Sequence, residues 1–282
     1  MTSERALFGG RIGLGTWKMG ERRGARAQEV AAVSRALQMG YRLIDTAELY
    51  ASGEAECIVG AAVAQSPGIP RAELCIVSKV LPNNASRRGT IQACEASLQR
   101  LGCAYLDVYL LHWRGSHPFT ATLEGFAELQ QQGLIREFGV SNLDLDDMQE
   151  WRAAERAVGI GRPARVNQLH YSLEERGIEF NLLPWQAARG IATMAYTPLG
   201  SGRLTHHTAL QALAQTRSLT AAQLALAWTI RQPEVVAIPK SSDPQRLAEN
   251  LAAASITLNE AELAALDRSF PPPRKAQPLA MV

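Results

Sequence analysis

A chain of 282 residues, 46% hydrophobic and 20% charged, is long for one sandwich, ordinary for one barrel, and able to bury a large core without staples. A net charge of +2 is too mild to imply nucleic acid or a membrane surface as a partner. No run of about 18 apolar residues occurs, the opening MTSERALFGG lacks the apolar core of an export signal, and the cysteines at 57, 75, 94 and 103 form no CxxC pair, so a soluble protein with buried free thiols in a reducing cytoplasm is expected.

Short apolar runs alternate with amphipathic segments along the chain. A strand is expected at 12–17, then a helix over 26–39 stopped by Gly40. Strands follow at 43–47 and 74–80, and a helix over 86–101 stops at Gly102. Three strand–helix units come next: strand 106–112 with helix 119–132 and Gly133, strand 137–142 with helix 145–158 and Gly159, and strand 165–171 with helix 179–189 and Gly190. Strand 192–198 precedes a strongly apolar helix over 220–231, which should pack on the sheet. Strand 235–241 leads into helix 244–254, where Asp243 and Pro244 make a good N-cap and first position. A last helix covers 259–269, and a Pro-rich tail runs over 271–282.

Eight continuous apolar strands separated by helices predict an α/β fold, a (β/α)8 TIM barrel, as a single domain over 1–282. A doubly wound sheet is disfavoured, because no G-x-G-x-x-G follows the first strand.

Active residues of such barrels sit at the C-terminal ends of the strands. Asp45 ends the second strand, with Tyr50 in the following loop; Lys79 ends the third and His112 the fourth. Singly, each has a plain reading: a cap or surface ion pair for Asp45, packing for Tyr50, solvation for Lys79, a structural imidazole for His112. Together they define chemistry. A Lys ammonium held by Asp would favour the Tyr phenolate and lower its pKa. Such a set, with His on a carbonyl oxygen, donates a proton to an oxygen that is gaining negative charge.

At this point the sequence resembles the aldo-keto reductases. The stretches that carry the resemblance are Gly15-Thr16-Trp17, LIDTAELY (43–50), Ser78-Lys79, YLDVYLLHW (105–113), GLIREFGVSN (133–142), Val166-Asn167-Gln168, AYTPL (195–199) and IPKSSDPQRLAEN (238–250). They cover almost the whole chain in family order. Within the family, GTWKMGE, LLHWRGS and RGIEFNLLPW look like the bacterial methylglyoxal-reductase type.

The resemblance implies Tyr50 as proton donor, Lys79 and Asp45 as its pKa-lowering pair, and His112 as the group that orients the carbonyl. It implies NADP(H) as cofactor. Ser141, Asn142 and Gln168 would hold the nicotinamide carboxamide, and Tyr196 would stack on its ring. Leu199 to Arg203 (LGSGR) match the flexible loop over the pyrophosphate, with Pro198, Leu199, Gly200, Ser201 and Gly202 in the cofactor set. Ile238, Lys240, Ser241, Ser242 and Arg246 would meet the adenosine phosphate, with Glu249 and Asn250 on the adenine; a helix N-terminus there suits phosphate. Gly15, Thr16 and Trp17 complete the cofactor set. Trp17 and Trp113 would line the substrate site with Tyr50 and His112.

No metal is required. The short tail after Ser269 and the short 114–120 loop lead to the expectation of a shallow, open pocket for small aldehydes and dicarbonyls. The family default is a monomer. Alternatives are a reductase or dehydrogenase of sugar keto-acids or pyridoxal, and a catalytically silent NADPH-binding regulatory barrel.

Overall fold

Residues 7–282 are described in the structure, a computed structural model. Eight parallel strands pair in chain order: β1 (Leu14–Gly15), β2 (Leu43–Asp45), β3 (Cys75–Val80), β4 (Leu106–Leu111), β5 (Ile135–Ser141), β6 (Val166–His170), β7 (Ala192–Tyr196) and β8 (Val235–Ala237). A parallel bridge from Ile12 to Ala237 closes the last strand on the first. Ten helices alternate with or follow the strands: α1 (Arg26–Met39), α2 (Glu54–Ala64), α3 (Arg87–Leu101), α4 (Phe119–Gln131), α5 (Leu145–Val158), α6 (Leu182–Ala187), α7 (Thr208–Gln215), α8 (Ala221–Thr229), α9 (Pro244–Ala252) and α10 (Glu260–Ser269), counted among the described residues. The chain is the expected (β/α)8 barrel.

The strands sort their side chains by parity, because successive residues point to opposite faces. Leu43, Val77, Val108, Leu110, Val166, Ala192, Met194 and Val236 fill the barrel interior. The alternate positions, such as Ile44, Ile76, Tyr109 and Phe138, face the helices and form a second apolar layer. Continuing each interior row toward the C-terminal end gives Asp45, Lys79, His112, Gln168 and Tyr196. The barrel floor is therefore apolar and its upper rim polar, within the same rows.

The helices start on local signals. Ser86, Asp144 and Asp243 each accept the backbone N–H three residues on, and Thr220 and Asn259 form reciprocal caps with Gln223 and Glu262. Trp151 and Trp228 are fully buried, in keeping with packing roles. The four cysteines are free, with Cys75 and Cys94 buried. Among the described residues, no helix is long and apolar enough to cross a membrane.

The structure departs from the expected elements in three ways. Several strands are shorter, with only two residues in β1 and three each in β2 and β8, and the chain turns out of the sheet just after β5 and β7, where Asn142 and Thr197 have φ of 57° and 51°. Two helices, α2 and α7, lie where the sequence predicted none. The α2 segment EAECIVGAAVA is apolar nearly all round and shows no stripe to read. The helix expected over 179–189 is confined to Leu182–Ala187, after a separate turn at Gly177–Glu179.

Candidate active site

Lys79 is the hub of the polar rim. It is fully buried, and its ammonium has three partners. It donates to Asp45 at 2.9 Å, to the Thr46 carbonyl at 2.8 Å and to the Tyr50 hydroxyl at 3.1 Å. Asp45 also accepts from the Gln168 amide at 2.7 Å. His112 stands edge-on to Tyr50, with ring centroids 6.0 Å apart, and against Trp113 at 4.7 Å. Its Nδ1 is buried without a hydrogen-bond partner.

Across the rim, Ser141 donates to the Gln168 carbonyl and Asn142 to the His112 carbonyl. The Tyr196 hydroxyl donates to the Asn142 side chain at 2.8 Å. The Tyr196 ring stacks on His170, centroids 5.4 Å apart and 11° from parallel. The sequence-predicted residues of β2 to β7 thus converge on one cluster.

Burial and charge set the protonation states. Burial raises the Asp45 carboxyl and lowers the Lys79 ammonium, while each pulls the other back toward its charged form. Two buried ions are costly to desolvate, and their direct contact with additional hydrogen bonds offsets that cost. Burial pushes the Tyr50 phenol well above its usual value, and the Asp45 charge adds to the rise. The phenol is therefore protonated at neutral pH, with the Lys79 ammonium placed to receive the charge of a phenolate. Burial, aided by the Lys79 cation, holds His112 down to about 2, so its imidazole is neutral.

The depressed His112 pKa has a thermodynamic sign. The unfolded chain takes a proton on this imidazole as pH falls below its ordinary range, and the folded chain does not. Stability therefore falls with falling pH, by about 1.4 kcal/mol per pH unit for this one group. Urea unfolding of His112→Gln should show a shallower loss between neutral pH and pH about 5 than wild type. Equal slopes would mean that His112 titrates normally in the folded protein.

The cluster lies at one end of a cleft of 1130 Å³. The cleft runs from Trp17, Tyr50 and Trp113 past Tyr196 and the 198–203 loop to Lys240, Ser241, Arg246, Glu249 and Asn250. Gly15 and Ile238 meet between the two ends: a Cβ on Gly15 would sit 2.7 Å from the Ile238 carbonyl oxygen. Lys240 and Arg246 are exposed beside the first turn of α9 and, among the described residues, take part in no ion pair. That end of the cleft is suited to an anion.

Four of the expected residues do not line the cleft. Lys79 lies behind Tyr50. Thr16 is fully buried and donates to the Asp45 carbonyl, tying β1 to β2. Gly200 and Ser242 are also absent from the lining. A Cβ on Gly200 would lie 2.5 Å from the Glu174 carboxylate, which holds Arg203.

Several lining residues escaped the sequence reading. Lys18, with φ of 68°, folds its ammonium over the Trp17 ring at 4.6 Å. Leu49 adds an exposed apolar side chain to the rim. Met281 and Val282 also line the cleft. Arg176 donates to the Phe270 carbonyl and Asp267, so the tail leaves α10 from a fastened point. No local motif in PLAMV signals this.

The aldo/keto reductase family model matches residues 11–270. The chain belongs to the aldo/keto reductase family. It is 44% identical over 251 residues to methylglyoxal reductase YeaE of Escherichia coli (strain K12), covering 87% of this chain and 85% of that protein. An aldo-keto reductase of Mycolicibacterium smegmatis is 36% identical over 241 residues, 85% of this chain and 82% of its own length. Among solved structures, the aldo/keto reductase from Klebsiella pneumoniae in complex with NADP and acetate is 46% identical, with a TM-score of 0.90 over 96% of this chain and 95% of that one.

Proposed function

We propose that this protein uses NADP(H) to reduce small aldehydes and ketones, methylglyoxal-like dicarbonyls and aromatic aldehydes among them, to alcohols. The observation that carries the reading is the Lys79 contact to the Tyr50 hydroxyl, at the end of a cleft whose far end presents Lys240 and Arg246. The relatives named above point the same way.

The residues present fit the cofactor. Lys240, Arg246 and the first turn of α9 would hold its phosphates, with Arg able to grip phosphate through two N–H groups. Tyr196 would offer its ring to the nicotinamide, and Ser141, Asn142 and Gln168 their polar atoms to its carboxamide. When bound, the reduced nicotinamide supplies a hydride.

The protein supplies the proton and the field. A carbonyl oxygen seated between Tyr50 and His112 gains negative charge as the carbon is reduced. Tyr50, protonated at neutral pH, donates to that oxygen. Lys79 lies behind the phenol and stabilises the phenolate as it forms. Asp45 keeps Lys79 charged and in place. His112, being neutral, adds a hydrogen bond without competing as a cation. Trp17, Leu49 and Trp113 surround the substrate end with apolar surface and limit access of water.

Rates of NADPH consumption over a panel of carbonyl compounds test the reading. Methylglyoxal, other dicarbonyls and aromatic aldehydes should be turned over well, because each can place a carbonyl oxygen between Tyr50 and His112 beside the apolar surface of Trp17, Leu49 and Trp113. A marked preference for steroid-sized ketones would overturn the small-substrate assignment.

A further inference from the structure

We propose that Glu48 is a positioning residue that sets the spacing between Tyr50 and Lys79. The two residues stand on separate segments, the loop after β2 and the end of β3. Glu48 lies two residues before Tyr50, and Leu81 two residues after Lys79. One Glu48 carboxylate oxygen accepts from the Leu81 backbone N–H at 2.6 Å and from the Asn84 side-chain amide at 3.1 Å. The carboxylate therefore bridges the segments that carry the phenol and the ammonium. No role in the proton-transfer cluster described above uses it, and it takes part in none of the ion pairs found among the described residues.

The segment needs such a tie, because its backbone is strained immediately after Tyr50. Ala51 and Ser52 both occupy the left-handed region, with φ of 48° and 54°. Side-chain-bearing residues persist there only where the surroundings hold them. The downstream end is held: Gly53 passes under Arg100, where a Cβ would lie 2.5 Å from Nε, and Arg100 is bound to Glu56 at 2.6 Å. The upstream end is held by Lys79 on the Thr46 carbonyl. Between these points, besides the Tyr50 hydroxyl itself, Glu48 fastens the loop to the exit of β3. Without it, the turn can relax and swing the Tyr50 hydroxyl away from the ammonium.

The proposal rests on the reductase reading, and its test separates the two. Glu48→Ala should lower kcat about 10- to 100-fold, the penalty of a displacement of about one ångström at a reacting group. Its NADPH affinity and thermal midpoint should stay close to wild type, since Glu48 is not among the residues lining the cleft and is only half-buried. Glu48→Gln keeps an oxygen to accept the Leu81 N–H and should recover most of the turnover. In a Tyr50→Phe background, Glu48→Ala should cause no further loss, because the hydroxyl it positions is already gone. Wild-type kcat in Glu48→Ala, failure of Glu48→Gln to recover, or an equal loss in both backgrounds would overturn the positioning role. Tyr50→Phe as active as wild type would overturn the reductase reading beneath it.

Discussion

Tyr50→Phe is expected to lose turnover by about 100- to 10,000-fold, the usual worth of a positioned general acid. The substitution removes one oxygen and leaves the ring, so packing against His112 and the loop after β2 should persist. NADPH affinity should be nearly unchanged, because the groups facing the phosphates lie at the far end of the cleft. Lys79 would lose one of its three hydrogen-bond partners and keep Asp45 and the Thr46 carbonyl. Fluorescence titration with NADPH, beside steady-state rates, separates the two effects. A loss of binding and turnover together would mean that Tyr50 shapes the cleft rather than donating the proton.

Lys79→Met should damage stability as well as activity. It leaves the Asp45 carboxylate buried, 2% exposed, with Gln168 as its remaining side-chain partner. Removing one member of a buried ion pair costs about 3–5 kcal/mol. The carboxyl would respond by taking up a proton, since burial already raises its pKa and the opposing cation is gone. An acid whose folded pKa is raised loses stability as pH climbs above its unfolded pKa. The variant should therefore be relatively more stable in mild acid than at neutral pH. Adding Asp45→Asn should return much of the stability, because no uncompensated charge remains, while turnover stays low. Denaturant midpoints of the single and double variants at two pH values give the answer. Full stability of Lys79→Met at neutral pH would mean that the pair is neutral in the folded protein.

The barrel and most of its polar rim were legible from local pattern. Continuous apolar runs marked the parallel strands, and glycine stops at 40, 102 and 159 marked helix ends, where left-handed backbone is indeed found. Asp45, Lys79 and His112 stood out because a charged or polar residue closing an apolar strand is unusual. What escaped the sequence depends on contacts between distant segments or on unmarked backbone. Ala51 and Ser52 carry no signal that they adopt positive φ, so the turn behind Tyr50 could not be foreseen. The bridge from Glu48 to Leu81 joins segments that only the folded barrel brings together. The start of the tail is fastened by Arg176, nearly a hundred residues upstream of Phe270. The upward shift of the Tyr50 phenol depends on depth of burial, which spacing alone does not reveal. Helix α2 escaped for another reason: an all-round apolar helix and a buried strand look alike without a stripe.

The most direct test of the account is the absorbance of NADPH at 340 nm in the presence of the wild-type protein and methylglyoxal. Saturable loss of NADPH with one alcohol formed per cofactor oxidised is the predicted result. Saturable NADPH binding with no oxidation, on methylglyoxal or on any small aldehyde or ketone offered, would contradict it.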